Sequence, residues 1–212
     1  MSYESLIEAT KFHAANEQHW IGESLAEYKY EIWNLIKENN VKTILDYGCG
    51  KATFHKLLFN NKKVPGSPQG ISISGYDPCV PTFAKKPEGQ FDLTICVDVM
   101  EHVQEDKVDE VLKDIFSYSD KTFITITCYP ATQTLTNGKN AHYTVKEPEW
   151  WKEKLKPYDG SYIAIFQTKP DRSKITVNKE EWKPNKITIQ KLKKNDKTLD
   201  ETQKEKSKLL II

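Results

Sequence analysis

Thr43-Ile44-Leu45-Asp46-Tyr47-Gly48-Cys49-Gly50 is the stretch on which the fold turns. Its apolar, partly β-branched first half reads as a short buried strand, which the glycines break at once. Phe54, Leu57 and Leu58 then lie on the apolar side of a second predicted helix. Strand, glycine turn and helix in that order open an α/β unit.

Upstream, residues 24–38 predict an amphipathic helix. Ser24 and Glu27 have capping-box spacing, and Leu25, Tyr28, Ile32, Leu35 and Ile36 share a face. Downstream, residues 62–70 read as a loop, and Ile71 to Asp77 alternates like a strand and stops at Pro78. Phe91 to Val99 is a near-continuous apolar run, as in a parallel strand buried on both faces. Val108, Val111, Leu112 and Ile115 predict a helix over 105–117, and β-branched residues predict a strand over 121–127. A long loop leads to a short helix around Trp150, Trp151 and Leu155. Residues 161–168 and 175–177 read as a closing hairpin, with 186–192 as a spare strand. Three acids, Asp46, Asp77 and Asp98, fall at strand ends, where an open parallel sheet binds its ligand.

The 212 residues fit one domain, or one domain with an appendage. No stretch approaches the roughly 20 apolar residues that cross a bilayer, and residues 1–12 carry Glu4 and Glu8 with no apolar signal core, so no membrane partner is expected. Cys49, Cys79, Cys96 and Cys128 are scattered without C-x-x-C pairing, which points to a reducing cytoplasm over a zinc ribbon or disulfide framework. The net charge of +1 hides a basic end: residues 170–212 hold twelve Lys or Arg against seven Asp or Glu. Arg172 is the sole arginine, however. Arg is the usual residue for bidentate phosphate and base recognition, so the lysines read first as a solvated surface.

Each glycine-rich cofactor motif makes its own demand. A phosphate-cradling loop needs Gly-Lys-Ser/Thr, and Gly50-Lys51-Ala52 lacks the hydroxyl. The dinucleotide pattern needs a third glycine where Thr53 stands. What remains, Asp46-x-Gly48-x-Gly50, resembles motif I of the class I S-adenosylmethionine-dependent methyltransferases. Gly22-Glu23-Ser24-Leu25, Tyr76-Asp77-Pro78, Cys96-Val97-Asp98-Val99-Met100-Glu101-His102-Val103 and Cys128-Tyr129-Pro130-Ala131 are similar to one subfamily of bacterial and phage members. So is Asn137-Gly138-Lys139-Asn140-Ala141-His142 through Glu149-Trp150-Trp151.

That resemblance covers residues 20–155. It implies a Rossmann-like α/β fold and S-adenosyl-L-methionine as cofactor, bound by Asp46, Tyr47, Gly48, Cys49, Gly50, Asp77, Pro78, Asp98 and Val99. Asp46 would face the ammonium group and Asp77 the ribose hydroxyls. Residues 1–168 would form the methyltransferase domain, with 1–40 as a helical cap and 169–212 as closing strands and a Lys-rich extension. Two departures stand out. Ala52 takes a glycine-like place in motif I, and only 13 residues separate Asp77 from Phe91, where such enzymes fit a helix and a third strand. With Pro78, Pro81 and Pro87 in that gap, the sheet is predicted to be reduced around the third strand.

Methyl transfer from a sulfonium needs alignment and, for a hydroxyl acceptor, a base. His142, and with it His102, are the candidate catalytic residues, since imidazole titrates near neutral pH. Anchoring the long loop is the competing role for His142, and packing and capping the competing role for Glu101 and His102. The set Asp98-x-x-Glu101-His102 with the later His142 is also similar to the divalent-metal site of small-RNA 3′-end 2′-O-methyltransferases. Mg²⁺ or Mn²⁺ is the ion expected in such a shell. His13, His19 and Trp20 read either as an N-terminal lid or as surface packing. The Pro-Pro-aromatic motif and the Pro-Cys nucleophile of DNA methyltransferases are both missing after Asp98, so DNA is disfavoured. The expected acceptor is a small-molecule or sugar hydroxyl. The rivals are a metal-assisted RNA ribose methyltransferase and a non-catalytic module that binds the cofactor.

Overall fold

The computed structural model describes residues 3–16, 20–168 and 174–178. Helix α1 spans Glu4–Ala15, α2 Ser24–Glu27 and α3 Lys29–Glu38. Strand β1 (Thr43–Tyr47) is followed by α4 (His55–Leu58), β2 (Ser72–Tyr76), β3 (Leu93–Val97), α5 (Val108–Phe116), β4 (Thr122–Thr127), α6 (Pro148–Leu155), β5 (Tyr162–Gln167) and β6 (Lys174–Asn178).

The sheet order is β2-β1-β3-β4-β5-β6. The first five strands are parallel, and β6 runs antiparallel to β5 as the closing hairpin. This is the expected Rossmann-like sheet, and it is reduced as expected: between β2 and β3 the only regular element is a single 3₁₀ turn, Pro81–Phe83. From β1 the chain moves to β2 on one side and then returns to β3 on the other. That reversal opens a crevice at the carboxyl ends of β1 and β3.

Alternation fixes what covers the sheet. Leu45, Tyr47, Cys96, Ile124, Ile126, Ala164 and Phe166 pack with Val108, Leu112 and Ile115 of α5 and with Trp151 and Leu155 of α6 in one core. Phe123, next along β4, meets the ring of Tyr28, with centroids 5.9 Å apart. The strands at the centre are buried along their whole length, which is why their sequences read as apolar runs. No helix among the described residues is long and apolar enough to cross a membrane.

Three local expectations need correction. The helix over 24–38 is two helices, because Tyr28 leaves helical geometry (φ −110°, ψ 15°). Its phenol is fully buried, and its hydroxyl accepts a hydrogen bond from Gln167 Nε2 at 2.5 Å. Burying that ring outweighs continuing the helix. The capping box does not form either: the residue before α2 is Glu23, in helical geometry, with no side-chain cap. The second helix is one turn only, and Leu57 is exposed while Leu58 and Phe59 are buried. The spare strand expected over 186–192 lies outside the described residues, as does His19.

Candidate functional site

The glycine turn after β1 is fastened to the end of β2. Gly48 and Cys49 both donate their backbone N–H to Tyr76 O, at 2.7 and 3.2 Å. Asp77 completes the fastening: Oδ2 accepts from Gly50 N at 2.9 Å and Oδ1 from Cys79 N at 2.8 Å. Burial nevertheless raises the Asp77 carboxyl above its ordinary range, outweighing those two donors. Gly48 (φ +79°) touches the loop after β3 so closely that a Cβ would lie 2.3 Å from Val99 Cγ2. Gly50 (φ +54°) meets Trp20, with a Cβ placed 2.2 Å from its carbonyl oxygen. Both glycines are therefore required by the chain's own packing.

Asp46 is arranged differently from Asp77. Its Oδ2 accepts from His55 Nε2 at 2.7 Å, and both side chains are largely buried. Its Oδ1 takes no hydrogen bond among the described residues. Asp98 follows β3 in left-handed geometry (φ +53°). Thr125 holds it there, donating Oγ1–H to Oδ1 at 2.6 Å and accepting from Asp98 N at 3.2 Å through its carbonyl.

Asp46, Tyr47, Gly48, Cys49, Gly50, Asp77, Pro78, Asp98 and Val99 all line one cavity. The three carboxylates thus share a rim at the ends of neighbouring strands. Helix α1 and the segment after it close the other side with Leu6, Ala9, His13 and Trp20. The space left is about 170 Å³, below the roughly 300–1,000 Å³ of pockets that enclose a small organic ligand. Trp20, itself at φ +48°, wedges between His13 and His102, 4.9 Å from each ring centroid.

Behind His102 lies a second cluster. Glu101, His102 and His142 each offer one ligand atom, and these atoms lie within 4.8 Å of one another. The grouping omits Asp98, the fourth ligand anticipated from sequence, whose carboxylate is engaged by Thr125. Both imidazoles are fixed by backbone carbonyls: His102 Nδ1 lies 2.9 Å from Ala141 O, and His142 Nδ1 lies 2.6 Å from Tyr129 O. A carbonyl only accepts, so each Nδ1 carries the proton and each Nε2 is left with a lone pair in the neutral ring. Glu101 is fully buried; Oε1 accepts from Thr127 N at 3.1 Å, while Oε2 has no hydrogen-bond partner among the described residues.

Burial governs the protonation of this cluster. It pushes His102 down to about 3, assisted by His142, and lowers His142 as well. Burial and then Asp98 hold the Glu101 carboxyl well above its usual range. His102 lines the cavity and His142 does not. Neutral imidazoles that resist protonation are weak proton acceptors near pH 7 but retain the lone pairs that metals use.

His55 escaped sequence reasoning, since it falls in no motif and only its position in the single turn of α4 aims it at Asp46. Leu6 and Ala9 of α1 escaped it too, whereas His13 and Trp20, read as a lid or as surface packing, both line the cavity. A family model described as a methyltransferase domain matches residues 18–164, over two-thirds of the chain. No curated protein matches it.

Proposed function

The chain belongs to the methyltransferase-domain family, a membership that implies S-adenosylmethionine as methyl donor, and from that premise we propose that it methylates a hydroxyl on a small molecule or sugar. The observation that carries this reading is the shared rim of Asp46, Asp77 and Asp98 around one cavity at the switch point of the sheet.

The residues present suit the donor. Asp46 combines burial with an oxygen free of hydrogen bonds, a fitting partner for an ammonium group. Asp77 braces the glycine turn, and the remaining lone pairs of its oxygens suit the ribose hydroxyls. Val99, Pro78, Cys79 and Leu6 give the apolar walls that a purine needs. The donor brings a methyl group on a sulfonium whose leaving group is already activated. The protein would align the acceptor beneath α1, and the hydroxyl proton would leave through the lone pair of His102 Nε2, which lines the cavity, to solvent. Four free, buried cysteines fit a reducing compartment such as the cytoplasm.

Calorimetric titration with S-adenosylhomocysteine tests the reading directly. Saturable binding at a one-to-one ratio is expected, and the absence of heat up to millimolar ligand would remove it.

A second reading rests on Glu101, His102 and His142. An orphaned buried carboxylate oxygen beside two imidazoles locked in one tautomer suits a divalent ion. The mixed nitrogen and oxygen donors favour Mn²⁺ over Mg²⁺, which prefers oxygen alone. Such an ion would acidify a nearby hydroxyl, the chemistry wanted for a ribose 2′-hydroxyl of RNA. Transfer to RNA that survives exhaustive chelation unchanged would eliminate this version.

A further inference from the structure

We propose that His55 is a positioning residue for the cofactor's amino group, acting through Asp46. The inference deepens the cofactor reading above and rests on it.

The two acids nearest the glycine turn are used differently. Asp77 has a backbone N–H on each oxygen, so its carboxylate is committed to holding Gly50 and Cys79. Among the described residues Asp46 has one side-chain bond, from His55 Nε2 at 2.7 Å, and its side chain is 7% exposed. With Oδ2 taken by His55, Oδ1 is the oxygen left for a donor on a ligand in the cavity that Asp46 lines. A carboxylate can only accept, so His55 presents Nε2–H to it. Donating in this way, the imidazole fixes the carboxylate's torsion and leaves Oδ1 for the ammonium group.

The placement follows from the chain. Ala52, at φ +52°, turns the backbone out of the glycine turn, and the single turn of α4 begins at His55 itself. Its N–H bonds Ala52 O at 3.2 Å, and its carbonyl receives Phe59 N at 2.9 Å. Leu58 and Phe59 are buried beyond it, so the helix and its first side chain are anchored from both ends.

The test compares S-adenosylhomocysteine with its analogue lacking the α-amino group, by calorimetry, on the full chain. His55→Ala should weaken the parent ligand about tenfold, the scale of one charge-assisted hydrogen bond. The same substitution should leave the desamino analogue within about twofold. His55→Gln, whose amide nitrogen reaches the place of Nε2, should restore the difference between the two ligands. His55→Asn, which falls short, should not. Equal weakening of both ligands, or of neither, overturns the proposal while the cofactor reading stands. A wild-type chain that binds neither ligand removes both. Should His55→Ala unfold, the Gln and Asn variants carry the same comparison, and equal ligand ratios in the two would overturn it.

Discussion

The rings of His102 and His142 stand edge to face, 4.9 Å between centroids and 82° between planes, and each is pinned by its own backbone carbonyl. Two imidazoles fixed independently stand beside Glu101 Oε2, which is unpartnered among the described residues, and on the metal-assisted reading these three groups would hold the ion. Added Mn²⁺ should therefore raise the melting temperature. At a hundredfold excess over the dissociation constant the gain is about 2.7 kcal/mol. His142→Ala should abolish the gain without closing the cofactor cavity, since His142 does not line it. Identical thermal shifts in wild type and variant would show that the ion binds elsewhere.

Motif I offers a paired test at Gly50 and Ala52. A methyl group at Gly50 would sit 2.2 Å from a backbone oxygen of Trp20, which cannot step aside as a side chain could. Gly50→Ala should cost about 1–3 kcal/mol, the range for forced backbone strain, and should lower affinity for S-adenosylhomocysteine. At Ala52 the sign reverses. It already occupies left-handed geometry (φ +52°), which disfavours a Cβ by roughly 1–2 kcal/mol. Glycine recovers that but loses some unfolded-state advantage, so Ala52→Gly should be neutral to about 1 kcal/mol more stable. Urea midpoints of the two variants check both signs.

The contrast between those residues shows what the sequence could reveal. Strand β1, the glycine turn and the acids at the strand ends were readable because each is specified locally, by apolar runs and by residues that permit a tight turn. The reduced sheet was readable from a count, since 13 residues with three prolines cannot hold a helix and a strand. Where three-dimensional packing overrode local preference, reading failed. Ser24 and Glu27 have the spacing of a capping box, yet burying Tyr28 splits that helix and the cap is not made. Glu101, His102 and His142 were legible as a set, but Asp98 was not separable from it, because Thr125 meets it from a different strand. His55 could not be found at all without the single turn that carries it to Asp46.

Helix α1 is held over the cavity by polar pairs at its outer edge. Lys139 Nζ bridges both oxygens of Glu4 at 2.7 and 2.8 Å, Thr136 donates to Glu8, and Ser5 and Gln104 exchange hydrogen bonds. The space beneath is about 170 Å³, so a ligand larger than that would enter only with a shift of α1. Lys139 and Glu4 are each about half exposed, and solvent screens a pair of that kind so that it adds little to global stability. Lys139→Ala should therefore leave the melting temperature nearly unchanged, yet speed hydrogen exchange in residues 4–15 and the association of S-adenosylhomocysteine. Unaltered exchange and association would show that the pair does not restrain the helix.

His13 gives the protein a defined sensitivity to acid. Burial, followed by the nearby Lys51, pushes it down to about 4, and its Nδ1 has no hydrogen-bond partner among the described residues. In the unfolded chain it titrates near 6.5. Because the folded form resists the proton, the stability that His13 allows is complete above about 6.5 and is lost as pH falls toward 4. His13→Phe keeps an aromatic ring against Trp20, which His13 meets edge-on, and removes the titration. Wild type should thus lose more stability than the variant between pH 7.5 and pH 5, read from urea unfolding at the two values. Parallel losses in the two proteins would place the acid sensitivity on other groups, His102 first among them, since burial pushes it down to about 3.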